Sequence, residues 1–225
     1  MNSFKKYIQT LIVVPLTIST FAGAENTPNL INPQPKIYVL AQREMSLDNR
    51  YDVQFVNDVF KDNILLNLAY LRGTVTKAAD IDWRTVTKPF QYEFTLSPNK
   101  TFAYHEDVKD QYKGKVEKTT NAHFNGAEGF KTDGYLFGDG VCHLASLLNW
   151  VAREAELEVE SPTNHDFAKI NDISKEYGVS IYSSPFSKGS NTLQNLYITN
   201  NKNKPITFKF AYKDNKVSVT IVKED

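Results

Sequence analysis

The C-terminal stretch constrains the fold most. In "PITFKFAY", residues 205–212, Ile206, Phe208, Phe210 and Tyr212 alternate with Thr207, Lys209 and Ala211. "VSVTIV", residues 217–222, follows after the turn "KDNK". A period of two sends one face of each strand into a core and the other toward water. A sheet with one apolar face needs a covering layer. Residues 141–157 offer one, because Leu144, Leu148, Val151 and Ala155 form an apolar stripe at helical spacing. A second, mostly polar stripe on that helix holds Cys142, Ser146, Asn149 and Arg153.

Other segments read as smaller elements. "FQYEFTL" (90–96) and "TFAYH" (101–105) are strands about a Pro98-Asn99 turn, and "YGVSIYSS" (177–184) and "QNLYITN" (194–200) are further strands. "KIYVLA" (36–41) forms a short strand. Val53, Val56, Phe60, Ile64, Leu68 and Leu71 give a helical face over 51–72 with Gly73 as its C-cap, and Lys61-Asp62-Asn63 is a candidate break within it. Residues 74–90 are a connection anchored by Trp83. "EDVKDQYKGKVEKTT" (106–120) is loop or short helix. The expected fold class is α+β: a mixed or antiparallel sheet packed on a central helix that starts at the cysteine, with a small helical N-terminal segment.

At the N-terminus, Lys5 and Lys6 precede an uncharged apolar run, and Ala22-Gly23-Ala24 supplies small residues for a cleavage site. That is the pattern of a secretory signal peptide over 1–24. The rival is an uncleaved anchor, but the run is shorter than the roughly 20 residues of a spanning helix and Pro15 interrupts it. No cysteine lies near the cut to carry a lipid. The expected order is signal peptide (1–24), linker and short strand (25–50), helical segment (51–89) and main domain (90–225). The product would be secreted, periplasmic or extracellular, without a membrane span. Export removes two lysines and leaves 24 basic against 26 acidic side chains, a net charge of −2. That excludes a general electrostatic grip on nucleic acid.

Cys142 is the only cysteine, so no internal disulfide can form. In an exported chain an unpaired thiol is buried, used, or paired with another chain. Five of the ten glycines crowd into 126–140, a shaped loop running into the cysteine helix. With Asp139 as N-cap, Cys142 falls in the first turn, where free amides and the helix dipole favour a thiolate and an oxyanion. The Asp139 carboxylate opposes this in part. The competing reading is a buried cysteine acting as a small apolar side chain. A thiol nucleophile needs a base. His143 adjoins Cys142 and points about 100° away on a helix, so it lines the site without serving as base. His165 is the favoured base, because it follows the helix and precedes strands that pack beside it. His105 and His123 are alternatives. Asn149, Asn164 and Asp139 are candidate orienting groups, while Asp166 points away from His165 if that segment is extended. These histidines with Asp166 and Cys142 could supply metal ligands, but no metal-ligand spacing occurs, and no cofactor motif is present.

"GDGVCHLASLLNWVAREAELEV" followed by "NHDF" resembles the VanW family, with a glycine-rich approach, a cysteine opening a helix, a serine four residues on and a histidine after it. "LSPNKTFAYHE" is similar to that family's strand–turn segment. The likeness spans roughly residues 90–200. His143 stands where the family often has Gln, Asn99 replaces a turn glycine and His105 replaces Asn, which marks a divergent subgroup. The resemblance implies an exported bacterial cell-wall protein acting on peptidoglycan stem peptides by cysteine-dependent, L,D-transpeptidase-like acyl transfer. It casts Cys142 as nucleophile, His165 as base, and Gly138, Asp139, Gly140, Val141 and Ser146 as site wall. The alternatives are a non-catalytic wall-binding or accessory module, and a cysteine peptidase or amidase on the same substrates.

Overall fold

Burial sorts the C-terminal hairpin as its alternation requires: Ile206, Phe208, Phe210 and Tyr212 are buried, and so are Val217, Val219 and Ile221 across from them. A computed structural model describes residues 36–48, 50–134, 137–165 and 170–224. Its strands are β1 (Ile37–Ser46), β2 (Phe90–Leu96), β3 (Thr101–Ala103), β4 (Val116–Lys118), β5 (Glu158–Glu160), β6 (Tyr197–Thr199), β7 (Ile206–Lys213) and β8 (Lys216–Glu224). Its α-helices are α1 (Gln54–Arg72), α2 (Trp83–Val86), α3 (Val141–Glu154) and α4 (Lys188–Asn191). The segment expected to direct export, the linker through residue 35, and Asp166 lie outside the described residues.

Two four-stranded sheets result. The first has the order β1-β8-β7-β2 and is antiparallel throughout. Asp214 and Asn215, both at positive φ, form the two-residue turn between β7 and β8. That turn matches the right-handed twist of the paired strands, and Asp and Asn tolerate its backbone better than most residues. The second sheet runs β4-β3-β6-β5 and is mixed, since β3 and β4 are parallel. The fold is therefore α+β, as the alternating and helical periods together predict.

α3 lies in the middle of one continuous core. Leu144, Leu148 and Val151 join Phe208, Phe210, Val219 and Ile221 of the first sheet in it. α1 joins the same core through Ile64, Leu68 and Leu71, and β1 through Met45. β1 also pairs along β8. The described residues between 36 and 89 are thus part of the same packed unit.

Three expectations are corrected. α1 is one continuous helix, because Asn63 turns its amide into the core instead of capping a break. Gly73 closes it in the left-handed conformation, its N–H reaching Tyr70 O at 2.9 Å. Tyr177 ends a 3-10 turn (Lys175–Tyr177), and residues 178–184 have no regular secondary structure and belong to neither sheet. α3 is capped by Gly140, not Asp139.

Candidate active site: the cleft at the start of α3

The glycine loop is pinned by polar side chains from the core. Buried Asn63 donates to the carbonyls of Lys131 (3.0 Å) and Asp139 (2.9 Å) and accepts from Lys131 N–H (2.8 Å). One amide thus ties both ends of the loop to α1. Tyr104 Oη donates to Val141 O at 3.0 Å, and Asn67 in turn donates to that hydroxyl. Gly140 sits at φ 101°, and a Cβ there would stand 2.7 Å from Phe60 O. Only glycine gives both that backbone and that approach of α3 to α1.

The polar stripe of α3 grips the segment Tyr177–Ile181. Asn149 Nδ2 donates to Tyr177 O (2.9 Å), and Val179 N–H donates to Ser146 Oγ (3.0 Å). Ile181 N–H donates to Cys142 Sγ (3.4 Å), which points back to Ile181 O at 3.6 Å. Every second residue of the segment meets a helix residue three or four positions on. Ser146 and Asn149 are buried and do not line the cleft, although the family resemblance casts Ser146 as site wall and Asn149 is a candidate orienting group. Burial pushes the Cys142 thiol up to about 11, nearby Asp139 adds to the rise, and the Ile181 amide opposes it. The Val141 and His143 amides are bonded to Gly138 O (3.1 Å) and Gly140 O (3.0 Å), so they do not offer the free oxyanion donors that a first turn suggests.

Cys142 borders a cleft of about 670 Å³. Gly138, Asp139, Gly140, Val141 and His143 line it, with His123 and His165. Aromatic side chains form much of the rest: Tyr51, Phe60, Phe124, Phe137, Tyr182 and Phe186. Phe186 is 94% exposed and Phe137 55%. Burial pushes the Asp139 carboxyl up to about 6, and its Oδ2 accepts from Asp133 N–H at 3.1 Å.

The four histidines separate by environment. His105 is buried behind the cleft, with Nε2 on Gln194 O (3.0 Å), and burial lowers its pKa. His123 meets Glu128 through Nδ1 (2.8 Å) and Glu106 through Nε2 (3.1 Å). Burial works against its protonation, but the two carboxylates outweigh it and raise the pKa. Both ring nitrogens thus face carboxylates, which favours the protonated ring over a free base. His143 is buried, and burial, then Arg50 and His165, hold it well below the ordinary range. His165 lines the cleft edge-to-face with His143, ring centroids 6.4 Å apart. A Cβ on Gly178 would stand 2.8 Å from His165 O, so that glycine lets the His165 loop lie against the segment bonded to Cys142. Asn164 is exposed and bonds Lys175 O (3.1 Å), away from the cleft. Among the described residues no group of three or more His, Cys, Asp or Glu is placed to hold a metal ion.

The VanW like protein family matches residues 92–222, more than half of the chain. The chain belongs to the VanW-like family. No curated protein and no solved structure matches it. The VanW-like region supplies Cys142, His143, His165 and the glycine loop, whereas Tyr51, Phe60 and Asn63 come from before it. Sequence reasoning missed those three, and Arg50, which bonds His143 Nδ1 at 2.9 Å. Their only signal was an apolar helical face, which does not announce a cleft wall. No helix among the described residues is long and apolar enough to cross a membrane.

Proposed function

We propose that this is an exported cell-wall protein that holds a peptidoglycan stem peptide in the cleft over Cys142. The observation that carries this reading is the cleft's composition. It has apolar aromatic walls for side chains with polar groups among them, the usual make-up of a ligand site. Membership of the VanW-like family supports a cell-wall role, and the signal-like N-terminus supports export.

Cysteine-dependent acyl transfer is the second reading, favoured by the position of Cys142 in the first turn of α3 on the same cleft as His165. In that reaction His165 takes the thiol proton and the sulfur attacks a peptide carbonyl carbon. The C–N bond breaks, the amine leaves with that proton, and a thioester remains whose C–S bond the acceptor then cleaves. An amine acceptor then gives transfer, and water gives hydrolysis. With a thiol pKa of about 11, roughly one Cys142 in ten thousand is a thiolate at pH 7. That scarcity of thiolate at the buried sulfur is the reason binding ranks first. Muropeptides released by muramidase, titrated against wild type and Cys142→Ala, separate the readings. Binding by both proteins with no change in the peptides supports the binding module. Cross-linked or shortened peptides from wild type alone establish the acyl-transfer chemistry. Binding by neither overturns both.

A further inference from the structure

His143 has one ring nitrogen whose role is settled by its neighbour. Arg50 precedes α1, with its side chain only 3% exposed, and Nη1 lies 2.9 Å from His143 Nδ1. A guanidinium has donors and no acceptor, so Nδ1 accepts. A neutral imidazole accepting at Nδ1 carries its proton on Nε2. Arg50 is itself held by Ser46 O (2.8 Å) and by Asp172 (3.4 Å). A doubly protonated His143 would forfeit the Arg50 bond and face a cation at hydrogen-bond distance. Phe60 from α1 covers the ring at 5.0 Å, and His165 meets it from the loop after β5. Asp139 and Cys142 are the ionisable groups just before it in sequence. Among the described residues nothing accepts from Nε2, and His143 lines the cleft.

We infer that His143 is a specificity-determining donor of this cleft, presenting Nε2–H to a carbonyl or carboxylate oxygen of the bound peptide, with Arg50 as the positioning residue behind it. The choice of a peptide oxygen rests on the stem-peptide reading; the state of the ring does not. Burial strengthens such a bond, because water competes poorly there. Glutamine at this position would keep a donor, whereas leucine would remove it.

Long-range proton–nitrogen NMR on uniformly labelled protein reads the ring directly, with His143→Gln identifying its signals. The expected result is a ring that carries its proton on Nε2 and stays neutral well below the ordinary histidine range. Arg50→Met should release it to titrate nearer its ordinary value and to populate the Nδ1–H form. A wild-type ring in the Nδ1–H form, or one titrating near 6.5, overturns the proposal. Binding is then measured with a muropeptide bearing a free C-terminal carboxylate and with its amidated counterpart. His143→Leu should weaken binding about tenfold and His143→Gln only a few-fold, since one hydrogen bond to a charged or polar acceptor is at stake. A loss confined to the free acid identifies the carboxylate; an equal loss on both identifies a carbonyl. Wild type that binds neither probe overturns the stem-peptide reading and this role with it. Wild type that binds while His143→Leu binds equally well overturns this role alone.

Discussion

α3 meets its surroundings through two stripes that differ in kind. One face puts Leu144, Leu148 and Val151 into the core shared with the first sheet. The other puts Cys142, Ser146 and Asn149 against Tyr177–Ile181, a segment with no strand partner. On the first face, any apolar surface of the right shape would serve, because burial is non-directional. On the second, each side chain satisfies a particular backbone group. The helix spacing permits it: Cys142, Ser146 and Asn149 lie four and then three positions apart, on one face of α3. Backbone packed outside a sheet would otherwise bury unpaired N–H and C=O groups. The polar stripe replaces the missing strand.

Breaking the apolar face should have the largest effect. Leu148 is 1% exposed, so Leu148→Ala should cost about 2–5 kcal/mol through lost burial and a residual cavity. The check is a lower urea midpoint at unchanged slope. A loss under about 1 kcal/mol would mean that this face is not the main cover of the sheet.

The polar face should respond more weakly and more locally. Ser146→Ala leaves Val179 N–H buried without its acceptor, a cost of about 1–3 kcal/mol. Amide exchange distinguishes the faces: Val179 should exchange much faster, while interior amides of β7 and β8 keep the protection set by global unfolding. A uniform rise across all these amides would make the two faces one cooperative unit.

The same contrast explains what was legible beforehand. Periodicity disclosed the β7–β8 hairpin, α1 and the apolar stripe of α3, because each is a local pattern with a fixed period. It also disclosed the polar stripe, but not its purpose. Cys142, Ser146 and Asn149 read as a catalytic wall since nothing local says that residues 177–181 will lack a strand partner. Asn63 misled for the same reason. Within its own segment it resembles a helix breaker, and its value lies in carbonyls 68 and 76 positions away. The cysteine motif drew attention to the end of α3 that borders the cleft. The aromatic walls and Arg50 escaped notice because they converge only through the packing of α1 on α3.

Cys142 belongs to both accounts, so its substitutions sharpen the comparison. Serine can accept from Ile181 N–H and donate to Ile181 O, as the thiol does. Cys142→Ser should therefore stay within about 1 kcal/mol of wild type, and Cys142→Ala should lose about 1 kcal/mol more than the serine form. Thermal melts of the two variants test this order. Alanine matching wild type would show that the sulfur contributes only volume.

Asp139 should give the smallest stability effect, but a directional one. Burial raises its pKa from 3.8 in the unfolded chain to about 6 in the folded protein. Between those values the folded state binds the proton more tightly, so stability falls as pH rises through this window, and the loss is complete above about 6. Asp139→Asn keeps an oxygen for Asp133 N–H and removes the charge. It should flatten that part of the stability–pH curve and gain about 1 kcal/mol at pH 7, a figure discounted for the half-exposed position of the group. The same carboxylate helps to raise the Cys142 thiol, so the variant should label faster with a neutral thiol reagent at pH 7. Faster labelling together with the flattened curve would show that the start of α3 is governed by charge where the rest of the helix is governed by packing. A gain in stability with unchanged labelling would leave the Ile181 contact, not Asp139, as the restraint on the sulfur.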